Sequence, residues 1–344
     1  MERSVRPDHD ALIWEGAIEV VHGPDGSRPW RLPYSKIELF PTESLRAHAA
    51  MCAGVRIVFD TDSTTVAGSA AAPVDQVLSP VDLVVDGGAA MSTRVDEDGR
   101  FQFSGLPAGR KRVELWLPQY GDFRLLSLGV DERSEIWRPE HPPRPRLLVY
   151  GSSITHCRDA LSPTQTWPAL LASEFGADLT CLGLDGQCHL DPMVARVLSA
   201  RPAELIVACL GINVHGNGSY NSRSFLPTVL GFLSTLRDGH PDIPIVVLSP
   251  IVSPSRETKI GRADLTLADI RSDVHRAVQI LQNVGDATLH AVDGRDILGP
   301  DHAHLLYDGI HPNAEGYKHM ARQLITTLRT LNVINQPQPH PAAR

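Results

Sequence analysis

Apolar positions follow two different rhythms in the two halves of the chain. Up to residue 138, short runs of β-strand character alternate with turn residues: Ala11–Val21, Lys36–Phe40, Val55–Asp60, Val81–Val85, Phe101–Phe103, Arg112–Leu117 and Phe123–Val130. Asp-Gly pairs at 25–26, 86–87 and 98–99 and Pro-Ala-Gly at 107–109 supply the turns between such runs. This spacing, with no long helical period, predicts a β-sandwich or jelly roll over residues 1–138, with one short helix within 41–54. The segment Arg138–Arg146 then places four prolines in nine residues, which excludes helix and central strand and predicts a stiff linker at 139–145.

Beyond the linker the pattern alternates. Continuous apolar runs at Leu147–Tyr150, Leu179–Leu182, Leu205–Leu210, Ile245–Leu248 and Leu289–Val292 read as buried strands. Helical spacing fills the gaps near 166–175, 191–200, 224–238 and 265–283. A last helix at 313–331 opens with Pro312-Asn313-Ala-Glu and aligns Met320, Leu324, Ile325 and Leu328 on one face. The expected fold class is therefore α/β: a three-layer α/β/α domain with a parallel sheet over 146–335, preceded by the β-sandwich domain. The Pro/Gln-rich tail 336–344 is expected to fray.

Composition narrows the function classes. The 344 residues suffice for two domains of about 100–200 residues each. With 32 basic and 40 acidic residues the net charge is −8, which argues against a nucleic-acid or anionic-membrane binder. The longest apolar stretches, such as Leu205–Leu210, fall far short of the roughly 20 residues a bilayer span requires. The N-terminus mixes charges and has no apolar signal core. Five cysteines (Cys52, Cys157, Cys181, Cys188, Cys209) are odd in number and show no C-x-x-C spacing, against a disulfide framework or a thiolate zinc site. A reduced, cytoplasmic protein is expected.

Ligands of parallel α/β sheets bind where strands end, and four suggestive segments lie at such ends. The first strand runs into Gly151-Ser152-Ser153-Ile154-Thr155, the second into Gly183-Leu-Asp-Gly186, and the third into Gly211-Ile-Asn213-Val-His215. The fifth is followed by a loop ending Tyr307-Asp308-Gly-Ile-His311-Pro312-Asn313. In this order and at these positions, residues 146–332 resemble the SGNH/GDSL hydrolase superfamily. The resemblance implies Ser153 as nucleophile, Asp308 and His311 as the other triad members, and Gly186 and Asn213 as oxyanion donors. In one departure, Ser152 stands where the family's first block has Asp. That replacement occurs in a subset resembling two-domain carbohydrate esterases with an N-terminal jelly roll. The N-terminal likeness rests on pattern and on the segments Pro80–Gly87 and Leu106–Leu115.

The chemistry fits the same residues. A serine hydroxyl needs a base to take its proton, and His311 is the candidate. Asp308, three residues upstream, is close enough in a tight loop to hold the imidazole tautomer. Backbone N–H groups of Ser153 and Gly186, with the Asn213 amide, supply donors for the oxyanion. The site lacks the G-x-S-x-G elbow. His156, His189 and His215 lie beside these blocks and are candidates for substrate contact. Asp301-His302-Ala-His304 offers two alternating histidines without a third ligand, so no metal is assigned there. Cys157 and Cys188 read as small buried hydrophobes, and Trp167 as core.

The expected activity is hydrolysis of a small ester without a cofactor. An O-acetyl group on a sugar-like or polyhydroxylated small molecule follows from the resemblance alone. The alternative is an acyltransferase that passes the same acyl group to an alcohol or amine in a biosynthetic pathway. The leaderless N-terminus leans toward this, because a cytoplasmic enzyme meets small metabolites rather than polymers. A non-catalytic carbohydrate-binding protein is a third reading, and the Ser153/Asn213/His311 set argues against it. The expected partner is a small-molecule ester, a glycoside or secondary metabolite, with no nucleic acid and no membrane.

Overall fold

The computed structural model describes residues 2–71, 77–140 and 143–333. The N-terminal half contributes β1 (Glu2–Val5), β2 (Ile13–Glu15), β3 (Glu19–Gly23), β4 (Gly26–Trp30), helix α1 (Glu43–Ala49), β5 (Arg56–Thr61) and β6 (Thr65–Ala71). It continues with β7 (Val81–Val85), β8 (Met91–Thr93), β9 (Arg100–Ser104), β10 (Lys111–Trp116), β11 (Arg124–Asp131) and β12 (Ile136–Trp137). These strands form two six-stranded antiparallel sheets. One has the order β3-β4-β11-β6-β9 with β1 also on β11, the other β12-β5-β10-β7-β8 with β2 also on β5. Period-two alternation builds the sandwich: Phe101 and Phe103 of β9 point inward while Arg100, Gln102 and Ser104 face water. They meet Ile57, Phe59, Val113, Leu115 and Leu128 in one apolar core.

Two details depart from the sequence pattern. The run Ala11–Val21 splits into β2 and β3, which join different sheets, at Gly16. Lys36–Phe40, expected as a strand, lies largely in a 3₁₀ turn, Tyr34–Leu39, that follows Pro33; with Tyr34 and Leu39 exposed, the segment has no partner strand to cover it. Within the linker, His141 and Pro142 lie outside the described residues, as does the tail 336–344.

The second half alternates: β13 (Arg146–Gly151), α2 (Ser153–His156), α3 (Trp167–Phe175), β14 (Asp178–Gly183), α4 (Pro192–Ala200), β15 (Leu205–Cys209), α5 (Ile212–Asn217) and α6 (Phe225–Gly239). It ends with β16 (Ile245–Leu248), α7 (Leu267–Asn283), β17 (Leu289–Val292), α8 (Gly294–Ile297) and α9 (Ala314–Thr330). The five strands form one parallel sheet in the order β14-β13-β15-β16-β17. Neighbouring residues of one strand serve opposite layers. Leu148 and Tyr150 pack with α4, α6 and α7, whereas Leu147 and Val149 pack with α3 and α9.

The sandwich covers the β14 edge of that sheet. Trp30, Leu32, Phe40, Leu45 and Ala49 from the N-terminal half enter the same apolar core as Tyr150 and Leu182. Arg56, buried at the seam, pairs with Glu15 and with Asp178 at the start of β14, the latter at 3.2 Å. Such cover removes a free sheet edge. A second contact centres on the buried Asp82, whose Oδ2 accepts from the buried Ser162 Oγ at 2.6 Å and, at the half-buried edge of the cluster, from Thr164 N–H at 3.0 Å and Thr164 Oγ1 at 2.5 Å. Asp82 thus holds the loop that leaves α2. Asp82→Ala leaves the buried Ser162 hydroxyl and two half-buried Thr164 donors without their acceptor, and a loss of about 2–3 kcal/mol in chemical denaturation is expected. A change below about 1 kcal/mol would show that the loop is held by other contacts.

Candidate active site

From β13 the chain moves to β14 on one side and then crosses to β15 on the other, so the crevice at the C-terminal ends of these strands is a topological switch point. Ser153 sits there, first residue of the four-residue helix α2. The Ser152 hydroxyl caps that helix by accepting the Ile154 N–H at 3.3 Å, and Cys157, in the left-handed region at φ 57°, ends it. Trp167, fully buried, donates its indole N–H to Ile154 O at 2.9 Å, so the core reading of this tryptophan holds and it braces the helix.

His311 reaches this point from the loop before α9. Its Nδ1–H donates to Asp308 Oδ2 at 2.7 Å, which leaves Nε2 as the acceptor for the Ser153 hydroxyl at 2.8 Å. Asp308 Oδ1 accepts the backbone N–H groups of Ile310 at 2.9 Å and His311 at 2.8 Å, so both carboxylate oxygens are engaged. Burial works to raise the Asp308 carboxyl, but the His311 and Ile310 hydrogen bonds outweigh it and hold the group below the ordinary carboxylate range. Such a chain can take a proton from Ser153 Oγ and stabilise the imidazolium that results. The loop is closed at its base by the Leu306–Pro312 bridge.

The other two blocks converge on the same crevice. Leu184 N–H donates to Gly151 O at 2.8 Å, tying the end of β14 to the end of β13. Gly186 follows at φ +65°, a left-handed conformation that costs other residues strain, and a Cβ there would meet nothing within 4 Å. Asn213, in α5, accepts the Cys188 N–H on its Oδ1 at 2.9 Å. This fixes the amide orientation and leaves Nδ2 without an acceptor among the described residues.

The three candidate contact histidines separate. His156 is fully buried and donates Nε2–H to Gln119 O at 2.7 Å in the domain seam; it cannot touch substrate. Burial, with the Arg31 charge nearby, holds its imidazole well below the ordinary value. His215, 4% exposed, is likewise turned inward, with Nε2–H on Lys259 O at 3.0 Å. Spacing along α2 and α5 puts both rings near the blocks, but on the packed face of each helix. His189 is partly exposed and donates Nε2–H to Gly186 O at 3.0 Å while Nδ1 accepts the Ser219 hydroxyl at 2.7 Å, so it braces the Gly186 loop.

Among the described residues, no three His, Cys, Asp or Glu side chains are grouped to hold a metal, although the His319 and His302 rings lie tilted against each other with centroids 4.0 Å apart. No helix among them is long and apolar enough to cross a membrane. Cys157 and Cys188 are buried, and burial pushes the Cys188 thiol up to about 12. Tyr307, 56% exposed and stacked beside His311 at 5.8 Å, is a neighbour of the site that sequence pattern alone had not singled out.

Residues 144–329 match the GDSL-like lipase/acylhydrolase family and residues 12–126 the SsfX3 N-terminal domain. The fold is similar to the salicylyl-acyltransferase SsfX3 from a tetracycline biosynthetic pathway, at TM-score 0.88 and 32% identity over 96% of this chain and 98% of that one. A putative GDSL-like lipase from Bacteroides ovatus matches at TM-score 0.81 and 20% identity, over 98% of this chain and 100% of the other. A family two carbohydrate esterase from Clostridium thermocellum matches at TM-score 0.67 and 14% identity, over 94% and 99%; the last two likenesses are of fold alone. Comparison with curated proteins finds no match.

Two outcomes follow from this geometry. Asn213→Ala removes the amide whose Nδ2 has no acceptor among the described residues; if that group serves the oxyanion, kcat should fall roughly 10²–10³-fold with KM nearly unchanged. Near-normal kcat with a loss of stability only would reduce Asn213 to the acceptor for Cys188. For His156, the unfolded ring binds a proton at higher pH than the buried one. Stability should therefore fall as pH drops below the ordinary imidazole value of about 6.5, and His156→Gln should flatten that slope. Identical slopes in denaturation series across pH would contradict the buried neutral ring.

Proposed function

The chain belongs to the GDSL-like lipase/acylhydrolase family, and on that premise we propose that it transfers a small acyl group through an acyl-enzyme on Ser153 to a hydroxyl of a small-molecule acceptor. The observation that carries this reading is the unbroken chain Ser153 Oγ to His311 Nε2, 2.8 Å, and His311 Nδ1 to Asp308 Oδ2, 2.7 Å. Ser153 Oγ attacks the acyl carbonyl carbon while its proton passes to Nε2. The oxyanion gathers donors from the backbone N–H groups of Ser153 and Gly186 and from Asn213 Nδ2. Collapse expels the leaving group, which takes the proton from His311. The acceptor hydroxyl then gives its proton to Nε2 as its oxygen attacks the acyl carbon, and Ser153 leaves with that proton.

Transfer is preferred to simple hydrolysis because the likeness above 30% identity, across both domains, is to an acyltransferase of secondary metabolism. The acceptor class is accordingly a polyhydroxylated or glycosidic small molecule. Deacetylation of a sugar ester, with water in the acceptor's place, is the second reading. Its support is a fold likeness to carbohydrate esterases at 14% identity.

A chromogenic acetate ester tests both. Wild type should release chromophore, Ser153→Ala and His311→Ala should not, and added polyhydroxylated alcohols should appear as acylated products by mass spectrometry. Free acid alone, whatever the alcohol and its concentration, would favour the hydrolase. Undiminished turnover in Ser153→Ala would remove the acyl-enzyme.

A further inference from the structure

The residue after β4, Arg31, is fully buried, yet no carboxylate pairs with it among the described residues. Its guanidinium is satisfied by main-chain carbonyls instead. Nε donates to Met51 O at 2.7 Å and Nη2 to His48 O at 2.5 Å, both in the α1 region of the N-terminal half. Nη1 donates to Cys181 O at 3.0 Å and to Gly183 O at 2.7 Å, at the end of β14. One planar group therefore fastens the N-terminal domain to the strand end that launches the Gly186 loop.

Gly183 is also where β14 abuts the helix of Ser153. A Cβ on Gly183 would stand 2.4 Å from His156 N and 2.5 Å from the Thr155 carbonyl carbon, so the strand end presses on the backbone of α2 itself. The His156 ring at the end of α2 is held by Gln119 O, and Gln119 Nε2 donates to Ala160 O at 3.3 Å. The N-terminal domain thus grips the nucleophile helix from one side through Gln119 and the neighbouring strand end through Arg31.

We propose that Arg31 is a positioning residue for acyl transfer: it fixes the Gly183 carbonyl and thereby sets the placement of the Gly186 N–H relative to Ser153. The inference rests on the acyl-enzyme reading above. A lysine at this position retains the charge but has a single tetrahedral ammonium, which cannot serve four carbonyls spread around a planar fork. Displacement of an oxyanion donor by even about 1 Å is enough to cost a large factor in rate.

The test is a double-mutant cycle on the full chain with the chromogenic acetate ester. Arg31→Lys should lower kcat roughly 10- to 100-fold with KM within about two-fold of wild type. Combined with Asn213→Ala it should lose less than the product of the two single effects, because both act on one oxyanion. Backbone hydrogen exchange should rise in the segment 183–188 and stay at its wild-type level in β17. Arg31→Gln, shorter, neutral and with only two N–H donors, is the second variant and should lose at least as much kcat as Arg31→Lys. A folded Arg31→Lys with kcat within about two-fold of wild type, or fully multiplicative losses with Asn213→Ala, would overturn the proposal. Failure of both variants to fold would overturn it too, making Arg31 a folding residue only. These failures leave Ser153→Ala inactive, whereas failure of the acyl-enzyme reading leaves Ser153→Ala active.

Discussion

The hydrogen bond from Ser153 Oγ to His311 Nε2 closes 158 residues of chain to 2.8 Å, a distance that no local preference of either segment can set. It is set by the parallel sheet. β13 ends at Gly151 and the chain turns at once into a capped single turn of helix, which fixes Ser153 to the frame. The base comes from the other end of the domain, where α9 packs against α3 and the loop before it brings His311 to Ser153. Asp308 completes the constraint by using both carboxylate oxygens, one on the His311 ring and one on the turn that presents it. The imidazole is thereby held in one tautomer and one direction before any substrate arrives.

The same logic explains which features were legible in the sequence. The five parallel strands announced themselves as unbroken apolar runs because both faces are covered, and each lies where its run was read, within a few residues at the ends. The strand-end blocks were legible because switch-point chemistry is confined to short loops. Lys36–Phe40 misled because apolar content alone does not supply a partner strand. His156 and His215 misled because proximity in sequence does not say which face of a one- or two-turn helix a ring occupies.

Nothing in the sequence marks Arg31, Asp82 or Gln119 as contacts across the domain seam. Each lies in a β-patterned half and acts across the domain seam, on loops more than 40 residues away or, for Arg31, about 150 away. Their common feature is burial of a polar group with partners in the other half. The N-terminal sandwich therefore does more than cover the β14 edge. Through buried polar contacts it fixes the helix and strand end on which the crevice is built. That both domains match one acyltransferase along nearly their whole length is consistent with the pair acting as a unit.

The central claim is that Ser153 is activated by His311 in this frame, and covalent trapping tests it most directly. After incubation with a fluorophosphonate, peptide mapping should place a single adduct on Ser153 in wild type, and the rate of its formation should collapse in His311→Ala. An adduct on Ser152 or elsewhere, or labelling of Ser153 at an undiminished rate in His311→Ala, would contradict the account.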